Sequence, residues 1–271
     1  FVIKTISTQG DKARNTPLGQ LGKGVFVKEI EEALLSHRID LAVHSLKDLP
    51  TELPPGLILG AITQREDPRD VLISKNHAPL KELPRGAMVG TSSPRRAAQL
   101  LAFRPDLALV PLRGNVDTRV RKALEGGLDG VVLAAAGVKR LGLESAIAEY
   151  LPSEVCLPAP GQGAIAIEAR AEDKQTLAMV SAINHLPSQQ SVLAERAFLA
   201  ALGGGCRVPI GALGKVQGET MELYGMIASE DGRQVFRARV EGSSEQPEEL
   251  GRSLFKVLVT QGAARLLQGA S

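Results

Sequence analysis

AMVGTSSPRRAAQLLAFRPDLALVPLRGNVDTRVRKALEGGLDGVVLAA, residues 87–135, decides the fold. Three apolar runs of strand length, 87–89, 107–111 and 130–135, alternate with two stretches of helical spacing, 95–103 and 116–125. Strands that alternate with helices argue for an α/β fold whose sheets are largely parallel. In such folds ligands collect at the carboxyl ends of the strands. The polar residues of this stretch fall at those ends. Gly90-Thr91-Ser92-Ser93 follows one strand, and Pro94 then opens a helix, a position that suits proline. Free amides at a helix start form an anion-binding nest, and Arg95 and Arg96 add full charges. The plain alternative is a capped helix with solvated arginines. Leu112-Arg113-Gly114-Asn115-Val116-Asp117-Thr118-Arg119 repeats the pattern, and Gly137-Val138-Lys139-Arg140 follows the next strand.

Upstream, 39–43, 57–62 and 71–74 read as strands, and Phe26, Ile30, Ala33 and Leu34 mark one helix face. His44-Ser45-Leu46-Lys47-Asp48-Leu49-Pro50 stands at another strand end, where proline holds Asp48 in a turn. A turn-capping aspartate is the competing reading of that residue. Lys23 precedes the Phe26 helix, so cations recur around one rim of the fold. Arginine pairs bidentately with carboxylates, and the implied ligand is small and rich in carboxylates or phosphates.

Two segments read as crossings between lobes: 64–69, charged and broken by Pro68, and 157–163, dense in proline and glycine. The chain leaves a first lobe, builds a second and returns, with the ligand site in the cleft between them. Beyond a helix at 191–202, strands at 219–228 and 233–241 flank the turn signal Asp231-Gly232. Leu250, Leu254, Val257 and Leu258 follow as a helical stripe, and the whole reads as a small α+β domain. At the other end, residues 1–6 read as a strand already under way, with residues expected before it.

The 271 residues carry a net charge of +2, so any basic site is local. Aromatics at 3% with no Trp speak against base-stacking nucleic-acid binding. No run approaches the length of a membrane span, and no leader pattern is present. Cys156 and Cys206 make no disulfide framework, and neither they nor the four histidines have metal-ligand spacing, so no metal is expected. A cytoplasmic setting follows, with a plastid open if a transit peptide has been removed. Cys206 lies in Gly203-Gly204-Gly205-Cys206-Arg207. Glycines clear space around the sulfur and Arg207 favours its thiolate. An ordinary free cysteine in a glycine-rich turn is the alternative.

In order along the chain, HSLKDLP, REDPRD, GTSSPRRAAQL, LRGNVDTR, GQGA, AERAFL and GGGCRVPIG resemble the porphobilinogen deaminase (hydroxymethylbilane synthase) family. The likeness runs from about Thr5 to about Gly262. It implies two lobes like those of periplasmic binding proteins, with mainly parallel sheets, two hinge crossings and a small C-terminal domain. The boundaries expected are 1–64 with 162–182, 65–161 and 183–271. It implies a transferase that joins four porphobilinogen molecules head to tail, releases ammonia from each, and frees hydroxymethylbilane with water. It implies a dipyrromethane cofactor held by a thioether to Cys206, beside Gly205. Asp48 falls on the catalytic aspartate. Lys23, Lys47, Thr91, Ser93, Arg95 and Arg96, with Asp48 again, fall on cofactor-binding positions. Ser92, Arg113, Asn115, Arg119, Arg140 and Gln162, with Arg95 again, fall on substrate-binding ones. The chemistry agrees: each pyrrole carries two carboxylates, and a carboxylate near its N–H stabilises the cation left when ammonia departs. The expected protein is a monomer that binds neither nucleic acid nor membrane.

The sequence departs from the family in places. The N-terminal strand and helix, which carry another arginine and a serine, are not in it. Gln20 stands where many members have Lys, Gly203 where Glu is common, and Pro94 where Leu is common, and the last helix is expected to be short. Two other readings compete: a non-catalytic two-lobed carboxylate-binding protein, and an inactive truncated enzyme.

Overall fold

The computed structural model describes residues 1–8, 27–203 and 208–268. The readings on Gln20, Lys23, Gly205 and Cys206 lie outside the described residues. Among those residues the strands form three sheets. The first contains β1 (Leu41–Ser45), β2 (Leu57–Ile62) and, between them, a strand from far along the chain, Ile165–Arg170, which becomes β8 below. The second holds β3 (Asp70–Ser74), β4 (Met88–Gly90), β5 (Ala108–Val110), β6 (Gly130–Ala134) and β7 (Glu149–Tyr150), in the order β5-β4-β6-β3-β7. After β8 (Ile165–Arg170), the third sheet is the antiparallel meander β9 (Ile210–Gln217), β10 (Thr220–Ala228) and β11 (Val235–Ser243).

The α/β expectation holds, but the sheets are mixed rather than mainly parallel. Strand β4 runs parallel to β5 and β6, whereas β3 opposes β6 and β7, and β8 opposes both β1 and β2. The cause is the pair of crossings. Strands β3 and β8 each come directly from the other lobe, so each enters its new sheet against the strands it joins. Residues 1–6, expected as a strand, form none, and Phe1, Val2 and Ile3 stand exposed. No described neighbour supplies them with a ladder.

Strand β3 is buried along its whole length, and β6 nearly so. Their side chains still alternate between two cores. Leu72 and Val132 pack with Val89 and Leu100, while Val71, Ile73, Val131 and Leu133 pack with Val120 and Val138. A strand covered on both faces reads as a continuous apolar run, which is why these two are plain in the sequence.

The helices are α1 (Lys28–Leu35), α2 (Pro94–Phe103), α3 (Val116–Leu124), α4 (Ala135–Arg140), α5 (Lys174–Ser181), α6 (Leu186–Ala201), α7 (Pro247–Leu258) and α8 (Ala264–Gln268). Helix α2 starts where Ser93 accepts a hydrogen bond from the Arg96 amide, with Pro94 in the first turn. Helix α6 starts five residues before the sequence pattern places it. His185 caps it by accepting from the Ser188 amide, and Pro187 sits in the first turn, where its missing N–H leaves no bond unmade. Helices α6 and α7 cover the third sheet through Phe198, Leu254, Leu258 and Leu223. The β10–β11 turn rests on α2 of the second lobe. A Cβ on Gly232 would lie 2.3 Å from the Ala98 carbonyl oxygen, and its φ of +70° favours glycine.

Candidate active-site cleft

Strand β1 ends in a short 3-10 turn, Leu46–Asp48. Leu46 and Leu49 are buried on either side, so the turn pins Lys47 and Asp48 between two anchors. The Leu46 amide donates to the Ala164 carbonyl at 3.0 Å, which ties the turn to the second crossing. From behind, the Arg196 guanidinium of α6 donates to the Pro50 carbonyl at 2.6 Å and that of Thr51 at 3.1 Å. Below, His44 Nε2 stands 3.0 Å from Glu168 Oε2 of β8, and both residues are buried.

The turn faces a cleft of about 230 Å³ between the first and second lobes. Lys47 lines it from one side, and Arg96 of α2, Arg119 of α3 and Arg140 of α4 from the other, and among the described residues no acidic side chain lines the wall. Lys47 and Asp48 both reach solvent, yet neighbouring protein crowds them; Lys47 lines the cleft, and Asp48 stands next to it outside the lining. Crowding pushes the Asp48 carboxyl above its ordinary range, while Lys47 and His44 pull it partway back. It pushes the Lys47 ammonium down to about 8, and the nearby Arg96 charge adds to the fall. Burial and Arg96 together lower Arg119. The Arg119 Nε donates to the Gly114 carbonyl at 2.7 Å, which fixes its reach.

Several residues expected in the site are placed otherwise. The Arg95 guanidinium turns inward, to Asp70 Oδ2 at 2.6 Å and the Leu157 carbonyl at 2.6 Å, so its charge is balanced inside the protein and does not line the cleft. The hydroxyls expected in an anion nest make internal bonds. Ser92 donates to and accepts from the Leu112 backbone at 2.8 Å, Thr91 accepts from the Ser93 amide, and Ser93 caps α2. Gln162 is buried, donating to the Pro68 carbonyl at 2.8 Å and to Asp70 at 3.0 Å. Asn115 is exposed at the start of α3 with no side-chain cap bond, and Arg113 is half-buried; neither lines the cleft.

Asp70, Glu195, Arg65, Glu168 and Arg196 do not stand out in the sequence. Arg65 lies in the charged crossing 64–69 and Asp70 directly follows it, and the partners that bury them are 130 and 25 residues away. The one local signal is that Asp70 directly abuts the apolar run Val71–Leu72–Ile73. Cys156 is fully buried. Its thiol donates to Asp70 at 3.2 Å, and burial with the Asp70 charge pushes it up to about 12.

Among known proteins, the family model for the porphobilinogen deaminase dipyromethane cofactor binding domain matches residues 1–178, and that for the porphobilinogen deaminase C-terminal domain matches residues 189–260. A porphobilinogen deaminase of Syntrophomonas wolfei is 53% identical over 266 residues, 98% of this chain and 87% of its own. One of Carboxydothermus hydrogenoformans is 51% identical over 269 residues, 99% of this chain and 86% of its own. Among solved structures, the periplasmic aliphatic sulphonate binding protein SsuA from Escherichia coli aligns at 14% identity with a TM-score of 0.35, over 64% of this chain and 56% of that one.

Proposed function

Because this chain belongs to the porphobilinogen deaminase family, we propose that Lys47, Arg96, Arg119 and Arg140 hold the carboxylates of the pyrrole chain while Asp48 serves its reacting ring. The enzyme is a transferase of tetrapyrrole biosynthesis that polymerises porphobilinogen with loss of ammonia and releases hydroxymethylbilane. One observation carries the assignment of residues: a cleft wall lined, among the described residues, by four cations and no acidic side chain, beside an aspartate whose carboxyl is raised.

The dipyrromethane of the family carries four carboxylates, and Lys47, Arg96, Arg119 and Arg140 are the residues that would hold them. We place its thioether on Cys206; when bound, it supplies the pyrrole end from which the chain grows. The residues of the protein do the rest. The cations bind and orient the acetate and propionate arms. As ammonia leaves a porphobilinogen, the ring becomes cationic, and ionised Asp48 stabilises that charge through the pyrrole N–H. Its raised pKa brings Asp48 nearer the working pH, where a carboxylate can take and return a proton. Thr91, Ser92, Ser93 and Gln162 act from behind, shaping the wall that presents Arg96. Arg95 acts through Asp70, while Arg113 and Asn115 are assigned to longer chains that outgrow the cleft. Lys23 and Gly205 keep their family assignment beside the cofactor.

The same reading divides the chain at 1–64 with 162–182, 65–161 and 183–271, and takes it as a cytoplasmic monomer. Among the described residues no helix is long and apolar enough to cross a membrane. The non-catalytic reading is not favoured, because relatives half identical over nearly the full chain are named as the enzyme.

The test is intact mass before and after Cys206→Ser. The wild type is expected to carry an excess of two linked pyrrole units that the variant lacks. The same excess over the bare-chain mass in both would remove Cys206 as the anchor.

A further inference from the structure

Asp70 is fully buried at the start of β3, where the first crossing enters the second lobe. Its carboxylate receives donors from three directions. Oδ1 accepts from Arg96 Nε at 2.9 Å, Arg96 Nη2 at 2.7 Å and Gln162 Nε2 at 3.0 Å. Oδ2 accepts from Arg95 Nη1 at 2.6 Å and the Cys156 thiol at 3.2 Å. Gln162 also donates to the Pro68 carbonyl, so both crossings meet at this one group.

Arg96 is the side chain that shares this group with the cleft. A guanidinium has five N–H donors in a rigid fork. Asp70 takes the Nε edge with one Nη2 hydrogen, and the Val132 carbonyl takes an Nη1 hydrogen at 3.1 Å. One hydrogen on each terminal nitrogen is left, a pair spaced for the two oxygens of a carboxylate. The adjacent Arg95 would repel Arg96 in this confined space, and Asp70 balances that charge as well.

We propose that Asp70 is a positioning residue for porphobilinogen polymerisation: it holds the Arg96 fork so that its free edge faces the cleft, and it cancels Arg95. The inference rests on the reading of the cleft as the site of the acidic chain. It goes further in separating two adjacent arginines by role, one presented to ligand and one used to balance the group that presents it.

The test compares steady-state kinetics of the holoenzyme with Asp70→Asn, Asp70→Asn/Arg95→Gln and Arg96→Gln, each with a thermal midpoint. Asp70→Asn leaves two buried guanidiniums without a counter-charge and is expected to lose stability. The double variant removes one charge of each sign, so its midpoint is expected to recover while Arg96 still lacks its anchor. Both variants should show KM for porphobilinogen raised roughly tenfold to a hundredfold, with a smaller fall in kcat, as for a misplaced binding group. If Asp70→Asn fails to fold, the double variant carries the test. A double variant with both midpoint and KM restored would overturn the proposal, because Asp70 would then be structural alone. If Arg96→Gln leaves KM unchanged, the reading of the cleft fails first and takes this inference with it.

Discussion

Replacing Glu195 by alanine should loosen the joint between all three parts of the molecule. Glu195 is fully buried on α6. It accepts from Arg65 Nη1 at 2.5 Å and Nη2 at 3.1 Å, from the Gly161 amide at 2.6 Å and from the Gly214 amide at 2.8 Å. Arg65 belongs to the first crossing, Gly161 to the second, and Gly214 to β9 of the third sheet. Arg65 also donates to the Gln162 carbonyl at 2.8 Å and receives little solvent, its side chain being 10% exposed. Removing one member of a buried pair costs about 3–5 kcal/mol, because the other charge is stranded. Each buried amide left without an acceptor adds about 1–3 kcal/mol. The lower ends alone give about 5 kcal/mol for Glu195→Ala. At about 2–4 °C per kcal/mol for a chain of this size, the thermal midpoint should fall by roughly 10–20 °C. Far-ultraviolet circular dichroism and a second probe of tertiary structure should be followed together, since a chain of several parts need not unfold in one step. The apolar double replacement Arg65→Met/Glu195→Leu should cost less than Glu195→Ala, because it strands no charge. A loss below about 1 kcal/mol for Glu195→Ala would match an exposed ion pair and refute the reasoning.

Asp48→Asn should nearly abolish turnover and yet raise the thermal midpoint at pH 7. The folded protein raises this carboxyl, so the group favours the fold when protonated and weighs against it once ionised; a lowered midpoint in the variant would contradict this. In the wild type, KM for porphobilinogen should climb as pH rises through about 8, where Lys47 loses its charge beside Arg96, Asp48, Asp70 and Arg95. Lys47→Arg should flatten that climb, and an unchanged profile would remove Lys47 as its source. Gly232→Ala forces a methyl into the Ala98 carbonyl at a φ of +70°, and the loss expected is roughly 1–3 kcal/mol in a urea titration, with no loss speaking against the docked turn.

The elements that depend on local pattern are legible in the amino-acid sequence. The run 57–62 is β2 residue for residue, Pro94 opens α2, and Asp231-Gly232 turns the β10–β11 hairpin. Strand direction is not legible, because direction depends on which lobe a strand comes from, and period-two spacing carries no record of that. The helical stretch 191–202 misses the start of α6, where Pro187 is harmless because it falls in the first turn. For the site, the cations at strand ends are visible. Lys47, Arg96, Arg119 and Arg140 do meet around one cleft.

What spacing does not supply is which charges reach the ligand. Arg95 and Arg96 are neighbours of identical type on the first turn of one helix, and nothing in GTSSPRRAAQL separates them. Asp70 separates them, and it sits 25 residues upstream of Arg95, between a charged crossing and an apolar strand. Arg65 and Glu195 hide the same way, 130 residues apart. In each case a buried carboxylate uses up one arginine and fixes the geometry of a wall or a hinge. The net charge of +2 therefore says little about the cleft. Among the described residues the only charges on the wall are cations, because Asp70, the carboxylate that pairs with Arg96, is buried behind it. Moving that carboxylate into the cleft would change the charge of the wall while leaving the composition the same. The functional charge of this protein is thus a property of burial, set by contacts between distant segments.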